Sequence, residues 1–192
     1  MLKWLTPTKV GSAMLRPLRK LASRLWSGLI PSRYAPSVLA LDPRSLVADG
    51  IRGLILDLDN TVVAWNAPGP TEPVRQWIGR VRDMGVRMCI VSNNFSSRTQ
   101  AIGRALDVPV VAAAVKPIPW GFRRAMALMG TQAPSTALIG DQVFTDILGG
   151  NLLGVKTILV EPLSTQEFPT TRLIRRLERL VRTRVVQLAT RR

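Results

Sequence analysis

Residues 53–61 read Gly-Leu-Ile-Leu-Asp-Leu-Asp-Asn-Thr: a branched apolar run that stops at two carboxylates, Asp57 and Asp59, and then turns polar. The apolar part has the pattern of a buried central strand. Two acids directly after it fall at the carboxyl end of that strand, where an open α/β sheet places its ligand crevice. If strand geometry carries on, alternation points Asp57 and Asp59 to one side and Leu58 to the other. Two carboxylates that close repel each other unless a cation or a proton separates them.

Outward from this stretch, strand and helix patterns alternate. A helix starts near Thr71, with Val74, Trp77, Ile78, Val81 and Met84 on one face and Gly85 ending it. A strand over 86–91 ends at Ser92-Asn93-Asn94, and a helix follows over about 96–106. A Val-rich strand over 108–115 ends at Lys116-Pro117, before a helix over 118–129. The next strand, 136–139, ends at Gly140-Asp141; a helix over 143–153 and a last strand over 155–160 complete the series. This order predicts an α/β fold with a doubly wound, mostly parallel Rossmann-like sheet. Upstream, Pro31, Ser32 and Pro36 read as a linker.

The 192 residues are enough for one domain with appendages. The single cysteine, Cys89, lies in an apolar run and reads as a buried thiol in a reducing compartment. With no histidine, Ser-His and Cys-His nucleophiles and ordinary zinc sites are excluded. No apolar run approaches the ~18–20 residues that span a bilayer.

Charge is concentrated at the ends. Residues 1–33 hold seven basic and no acidic residues, 34–170 twelve basic and eleven acidic, and 171–192 eight basic and one acidic. This predicts a near-neutral globular domain at 34–170 between two cationic extensions that meet something anionic. Residues 13–29 have the pattern of a basic amphipathic helix containing Trp26, which fits a membrane-surface helix, a helix docked on its own domain or a processed targeting segment. From Thr171, a second apolar stripe runs from Leu173 to Leu188 among arginines. A docked helix and an anionic membrane surface both fit it; an RNA-binding tail fits less well, since no aromatic residue is there to stack bases.

Four strand ends each carry a residue suited to phosphate chemistry: Asp57 and Asp59, Ser92, Lys116, and Asp141 with Asp146. A carboxylate cannot attack an anionic phosphoryl group without a cation to screen it, and magnesium, held by oxygen ligands, does this. Asp57 and Asp141, with the backbone carbonyl of Asp59, are the expected ligands, and Asp146 holds a metal-bound water. Asp57 is the expected nucleophile, and Asp59 the acid and then the base. Ser92 and Lys116 bind the phosphoryl oxygens, with Thr61 and Asn93 as supports.

In order and spacing, Asp57-Leu58-Asp59-Asn60-Thr61, Ser92, Lys116 and Gly140-Asp141 with Asp146 resemble the four motifs of the haloacid dehalogenase superfamily of phosphohydrolases. The stretches 50–61, 90–94 and 140–151 look like the YqeG-type subfamily, which is related to phosphatidylglycerophosphate phosphatases of mitochondria and plastids. The resemblance implies a magnesium-dependent phosphomonoesterase acting on a lipid such as phosphatidylglycerophosphate. Only 32 residues separate Asp59 from Ser92 and 23 separate Ser92 from Lys116, which leaves no room for a lid domain. An open crevice and two basic ends favour an anionic lipid at the inner face of a membrane, with the protein peripheral to it. A soluble nucleotide, sugar or protein phosphate is the other substrate class, and a membrane- or RNA-bound scaffold the non-enzymatic alternative.

Overall fold

The computed structural model of the chain describes residues 26–166 and 169–190, the side chains of 169–175 excepted. Six strands form one sheet: β1 Arg33–Ala35, β2 Gly53–Leu56, β3 Arg87–Val91, β4 Val110–Val111, β5 Thr136–Gly140 and β6 Lys156–Val160. They lie in the order β1-β6-β5-β2-β3-β4, and every neighbouring pair is parallel. The helices are α1 Pro43–Ala48, α2 Glu72–Asp83, α3 Ser97–Leu106, α4 Trp120–Met129, α5 Leu148–Leu153 and α6 Pro169–Ala189.

β2 is buried at all four positions because helices cover both faces of the sheet. Leu54 and Leu56 pack with Trp77, Ile78 and Val81 of α2 and with Ile102 and Leu106 of α3. Ile55 points the other way, onto Phe122, Ala125 and Met129 of α4. Each such fully buried side chain contributes about 1.5–3 kcal/mol. The buried Trp77 indole keeps a polar partner by donating to the Leu41 carbonyl at 2.7 Å. From β2 the chain steps to β3 and β4 on one side, then returns to β5 on the other. The carboxyl ends of β2 and β5 therefore flank the switch point where such sheets bind ligands.

Several elements differ from the sequence reading. Residues 33–35 are an edge strand and not a linker, paired Arg33 to Ile158 through Ala35 to Val160. The strand expected over 108–115 is only Val110–Val111. Ala113 and Val115 take φ of 51° and 52°, in the left-handed region, so the chain leaves the sheet early and coils towards Lys116. β2 ends at Leu56, which puts Asp57 and Asp59 in the turn beyond it and not on a strand. The helix after β5 opens with a π-helical turn, Val143–Ile147, before α5.

Most of the helix expected over 13–29 lies outside the described residues. Its last turn packs on the domain: the Arg184 guanidinium lies 5.8 Å from the Trp26 ring centre, and Asn151 donates to the carbonyls of Gly28 and Ile30 at 2.8 and 3.0 Å. α6 also docks, burying Val185 and Ala189 while Leu177 and Leu180 stay exposed. Among the described residues no helix is long and apolar enough to cross a membrane.

Candidate active site

Register brings the site together. Leu56 pairs with Ile139, so Asp57 follows at the level of Gly140, and its N–H donates to the Ile139 carbonyl at 2.9 Å. The chain then turns sharply: Val62 and Val63 N–H both donate to Leu58 C=O at 3.0 Å, with Asn60 at φ 65°. Asn60 pins this turn to 163–166, accepting from Trp65 N–H and the Ser164 hydroxyl and donating to the Gln166 carbonyl.

Asp57, Asp141 and Asp146 are all buried, and one carboxylate oxygen from each lies within 4.8 Å of the others. The Lys116 ammonium sits among them, bonded to Asp57 Oδ1 and, at 2.7 Å, to Asp146 Oδ1. Thr61 donates to Asp141 Oδ1 at 3.2 Å. Gly140 makes the approach of Asp146 possible, since a Cβ there would lie 2.4 Å from the Asp146 carboxyl carbon.

The other expected residues have different partners. The Asp59 carboxylate lies outside the acid cluster and accepts from Arg98 Nη1 at 2.7 Å. Arg98 also donates to the carbonyls of Ala67 and Ala64, tying Asp59 to the loop after β2. The Asn93 side chain is occupied by Lys116: its Oδ1 accepts from Lys116 N–H at 2.6 Å, and its amide donates back to the Lys116 carbonyl. Ser92 is buried at the end of β3, where its hydroxyl accepts from Asn94 N–H at 3.0 Å.

The Lys116 ammonium is shared by two buried carboxylates, Asp57 and Asp146, and the buried Asp141 lies beside them. Burial, with Asp57 adding to it against the pull of Lys116, pushes Asp146 up to about 6. For Lys116 burial opposes the charge, but Asp146 and Asp57 together outweigh it and hold the ammonium above its ordinary range. Asp57 Oδ2 is buried with no hydrogen-bond partner, a costly state for a carboxylate oxygen. An orphaned oxygen and an all-carboxylate donor set fit a hard divalent cation.

Three further residues hold the site and were not singled out by sequence: Arg98, Glu178 and Arg182. Glu178 of α6 is fully buried and accepts from Phe144 N–H at 2.9 Å. Arg182 donates to the carbonyls of Asp141 and Val160, each at 2.9 Å, and to Glu161 at 3.1 Å. The signal for Glu178 was present, as the one acid in a tail of arginines.

A family model described as HAD-hydrolase-like matches residues 113–168. The Bacillus subtilis (strain 168) protein named Probable phosphatase YqeG is 34% identical over 152 residues, covering 79% of this chain and 88% of that protein. The chain belongs to the YqeG-type phosphatases of the haloacid dehalogenase superfamily. It is also similar to Phosphatidylglycerophosphate phosphatase 1, chloroplastic, of Chlamydomonas reinhardtii, at 31% identity over 151 residues, 73% of this chain but only 55% of that protein. Among solved structures, an uncharacterized protein from Listeria monocytogenes serotype 4b superposes with a TM-score of 0.50 at 14% identity, over 62% of this chain and 85% of that one, a likeness of fold. As a YqeG-type phosphatase, the chain has its acid cluster at the switch point of the sheet, with a single regular helix in each of the two connections that flank β3.

Proposed function

We propose that the protein is a magnesium-dependent phosphomonoesterase that works through an aspartyl-phosphate on Asp57, and that its substrate is a membrane lipid phosphate such as phosphatidylglycerophosphate. The observation that carries the chemistry is the buried, unpartnered Asp57 Oδ2 in a cluster with two further buried carboxylates. Asp57, Asp141 and Asp146, with the backbone carbonyl of Asp59, are the groups that would hold the metal. When bound, magnesium screens the substrate's charge from the attacking carboxylate.

The chain's own groups do the rest. The Asp57 carboxylate attacks phosphorus, and the bond to the leaving oxygen breaks as Asp59 gives that oxygen a proton. A water then attacks the acyl phosphate while Asp59 takes its proton, releasing phosphate and restoring Asp57. Arg98 must loosen its hold on Asp59 for that transfer, since the pair is closed at 2.7 Å. Lys116 keeps Asp57 in place and offsets charge on the transferring group, while Ser92 donates to a phosphoryl oxygen. Thr61 orients Asp141 and Asn93 orients Lys116, both supports for the groups that touch substrate.

The lipid assignment is supported by relatives named phosphatidylglycerophosphate phosphatases, by a crevice with short connections around it, and by the basic ends at 1–33 and 171–192 flanking a catalytic unit at 34–170. It makes the protein peripheral to the inner, cytoplasmic face of a membrane. A phosphate-release screen with magnesium tests it, using Asp57→Asn as the blank. Turnover should favour phosphatidylglycerophosphate over nucleotide, sugar and protein phosphates. Equal or better turnover of a soluble phosphate would overturn the lipid assignment, and no magnesium-dependent release from any substrate would overturn the whole.

A further inference from the structure

Large apolar side chains crowd the mouth of the crevice and touch water. Phe95 is 82% exposed, Val115 61%, Ile118 54% and Trp120 57%. Each lies within four residues of Ser92 or Lys116. The two loops that carry them are cross-linked: Asn93 accepts from Lys116 N–H at 2.6 Å, and Ala114 N–H donates to the Ser92 carbonyl at 3.0 Å. These bonds hold the two loops side by side at the end of the sheet that carries the site. Val115 is held outward with φ of 52°, a conformation that a β-branched residue rarely adopts. Contiguous exposed apolar surface at a site mouth marks an interaction face.

Charge beside aromatic surface identifies the partner. Arg123 and Arg124 are exposed on α4, one turn beyond Trp120 and on its face of the helix. Tryptophan beside arginine is the composition of a protein surface that rests at the headgroup level of an anionic bilayer. The exposed acids Asp49, Asp83 and Asp107 close the connections that feed β2, β3 and β4, at the opposite end of the sheet. Glu72, at the start of α2, is an exposed acid on the site's own end and is bonded by Gln76. The opposite end also carries exposed bases, Arg52, Arg82, Arg87, Arg104 and Lys156, so what sets the crevice end apart is the exposed aromatics Phe95 and Trp120 beside Arg123 and Arg124.

We propose that Phe95, Val115, Ile118 and Trp120, with Arg123 and Arg124, are the face that docks on an anionic lipid bilayer, crevice mouth down. This rests on the lipid reading above and adds the contact surface to it. In that orientation a phosphate on a lipid headgroup reaches Asp57 without the lipid leaving the bilayer. The rim then does the docking, and the basic ends supplement it.

The test uses the full chain and the variant Phe95→Ser/Trp120→Ser, in which no buried side chain changes. Three readouts are taken: co-sedimentation with phosphatidylcholine vesicles with and without phosphatidylglycerol, turnover of phosphatidylglycerophosphate in those vesicles, and turnover of p-nitrophenyl phosphate. The variant should lose about tenfold or more in vesicle binding and in lipid turnover, since withdrawing one large aromatic from apolar surroundings already forfeits that much. Its p-nitrophenyl phosphate turnover should match the parent's. Arg123→Gln/Arg124→Gln should weaken binding only to the vesicles that contain phosphatidylglycerol.

Undiminished vesicle binding by Phe95→Ser/Trp120→Ser would overturn the docking face while leaving lipid turnover intact. So would a loss of self-association in place of vesicle binding, which would make the rim a subunit interface. A parent protein that turns over only the soluble ester would instead sink the lipid reading itself.

Discussion

Arg182 donates to the backbone carbonyl of Asp141 across 2.9 Å, so the C-terminal helix grips the loop that carries two of the three clustered acids. Glu178, one turn earlier, holds the same loop through Phe144 N–H. Arg182→Ala leaves the carbonyls of Asp141 and Val160 without that donor, a loss of about 1.5–3 kcal/mol for charge-assisted bonds of this kind. Its expected signature is a rise in the magnesium concentration needed for half-maximal activity, larger than the fall in kcat at saturating metal. Arg182→Lys, which keeps one charged donor, should recover part of it. A lower melting temperature with unchanged metal dependence would make α6 a structural brace only.

Asp146 sets a pH dependence. Its folded-state value of about 6 lies above the ordinary 3.8, so the folded chain holds this proton more tightly than the unfolded one. Without metal, the contribution of Asp146 to stability is therefore present below about pH 4 and lost as pH rises to about 6. Metal binding requires the proton to leave, so magnesium affinity should rise with pH through about 6 and then level off. Calorimetric titration with magnesium across this range checks the slope, and affinity flat with pH would contradict it.

Gly140 tests the packing of the cluster directly. Adding one methyl group places a carbon 2.4 Å from the Asp146 carboxyl carbon, against the end of a buried strand. Gly140→Ala should displace Asp146, cost about 1–3 kcal/mol by overpacking, and lower phosphatase activity far more than it lowers helical content by circular dichroism. Full activity in this variant would show that Asp146 need not approach the strand end.

The buried thiol makes a simpler prediction. Burial pushes Cys89 up to about 12 and the side chain is fully enclosed. The native protein should resist a thiol reagent at pH ~8 and react on unfolding, since the thiolate is the nucleophile. Fast labelling of the native state would show that the sheet opens near the site.

What was legible in the sequence followed from local pattern. Gly53–Leu56 is apolar throughout because helices cover it on both sides, and that alone located the centre of the sheet. The polar residue after each core strand then located the crevice. β1 was hidden because Arg33-Tyr34-Ala35 is short, polar and bracketed by prolines, and its strand state comes from pairing with β6. The early end of β4 was hidden because Val110-Val111-Ala112-Ala113-Ala114-Val115 is apolar throughout, and tertiary contacts impose the left-handed turns at Ala113 and Val115. Arg98, Glu178 and Arg182 act across 39, 34 and 41 residues of chain, a separation that helical or strand periodicity does not encode.

The account stands on Asp57 as the group that receives the phosphoryl. Reduction of an acid-quenched single turnover with borohydride converts an aspartyl phosphate to homoserine, which peptide mass spectrometry locates. The predicted result is homoserine at position 57, formed only when magnesium and substrate are both present and absent in Asp57→Asn. Homoserine at another position, or phosphate release with no trapped residue and no loss in Asp57→Asn, would contradict it.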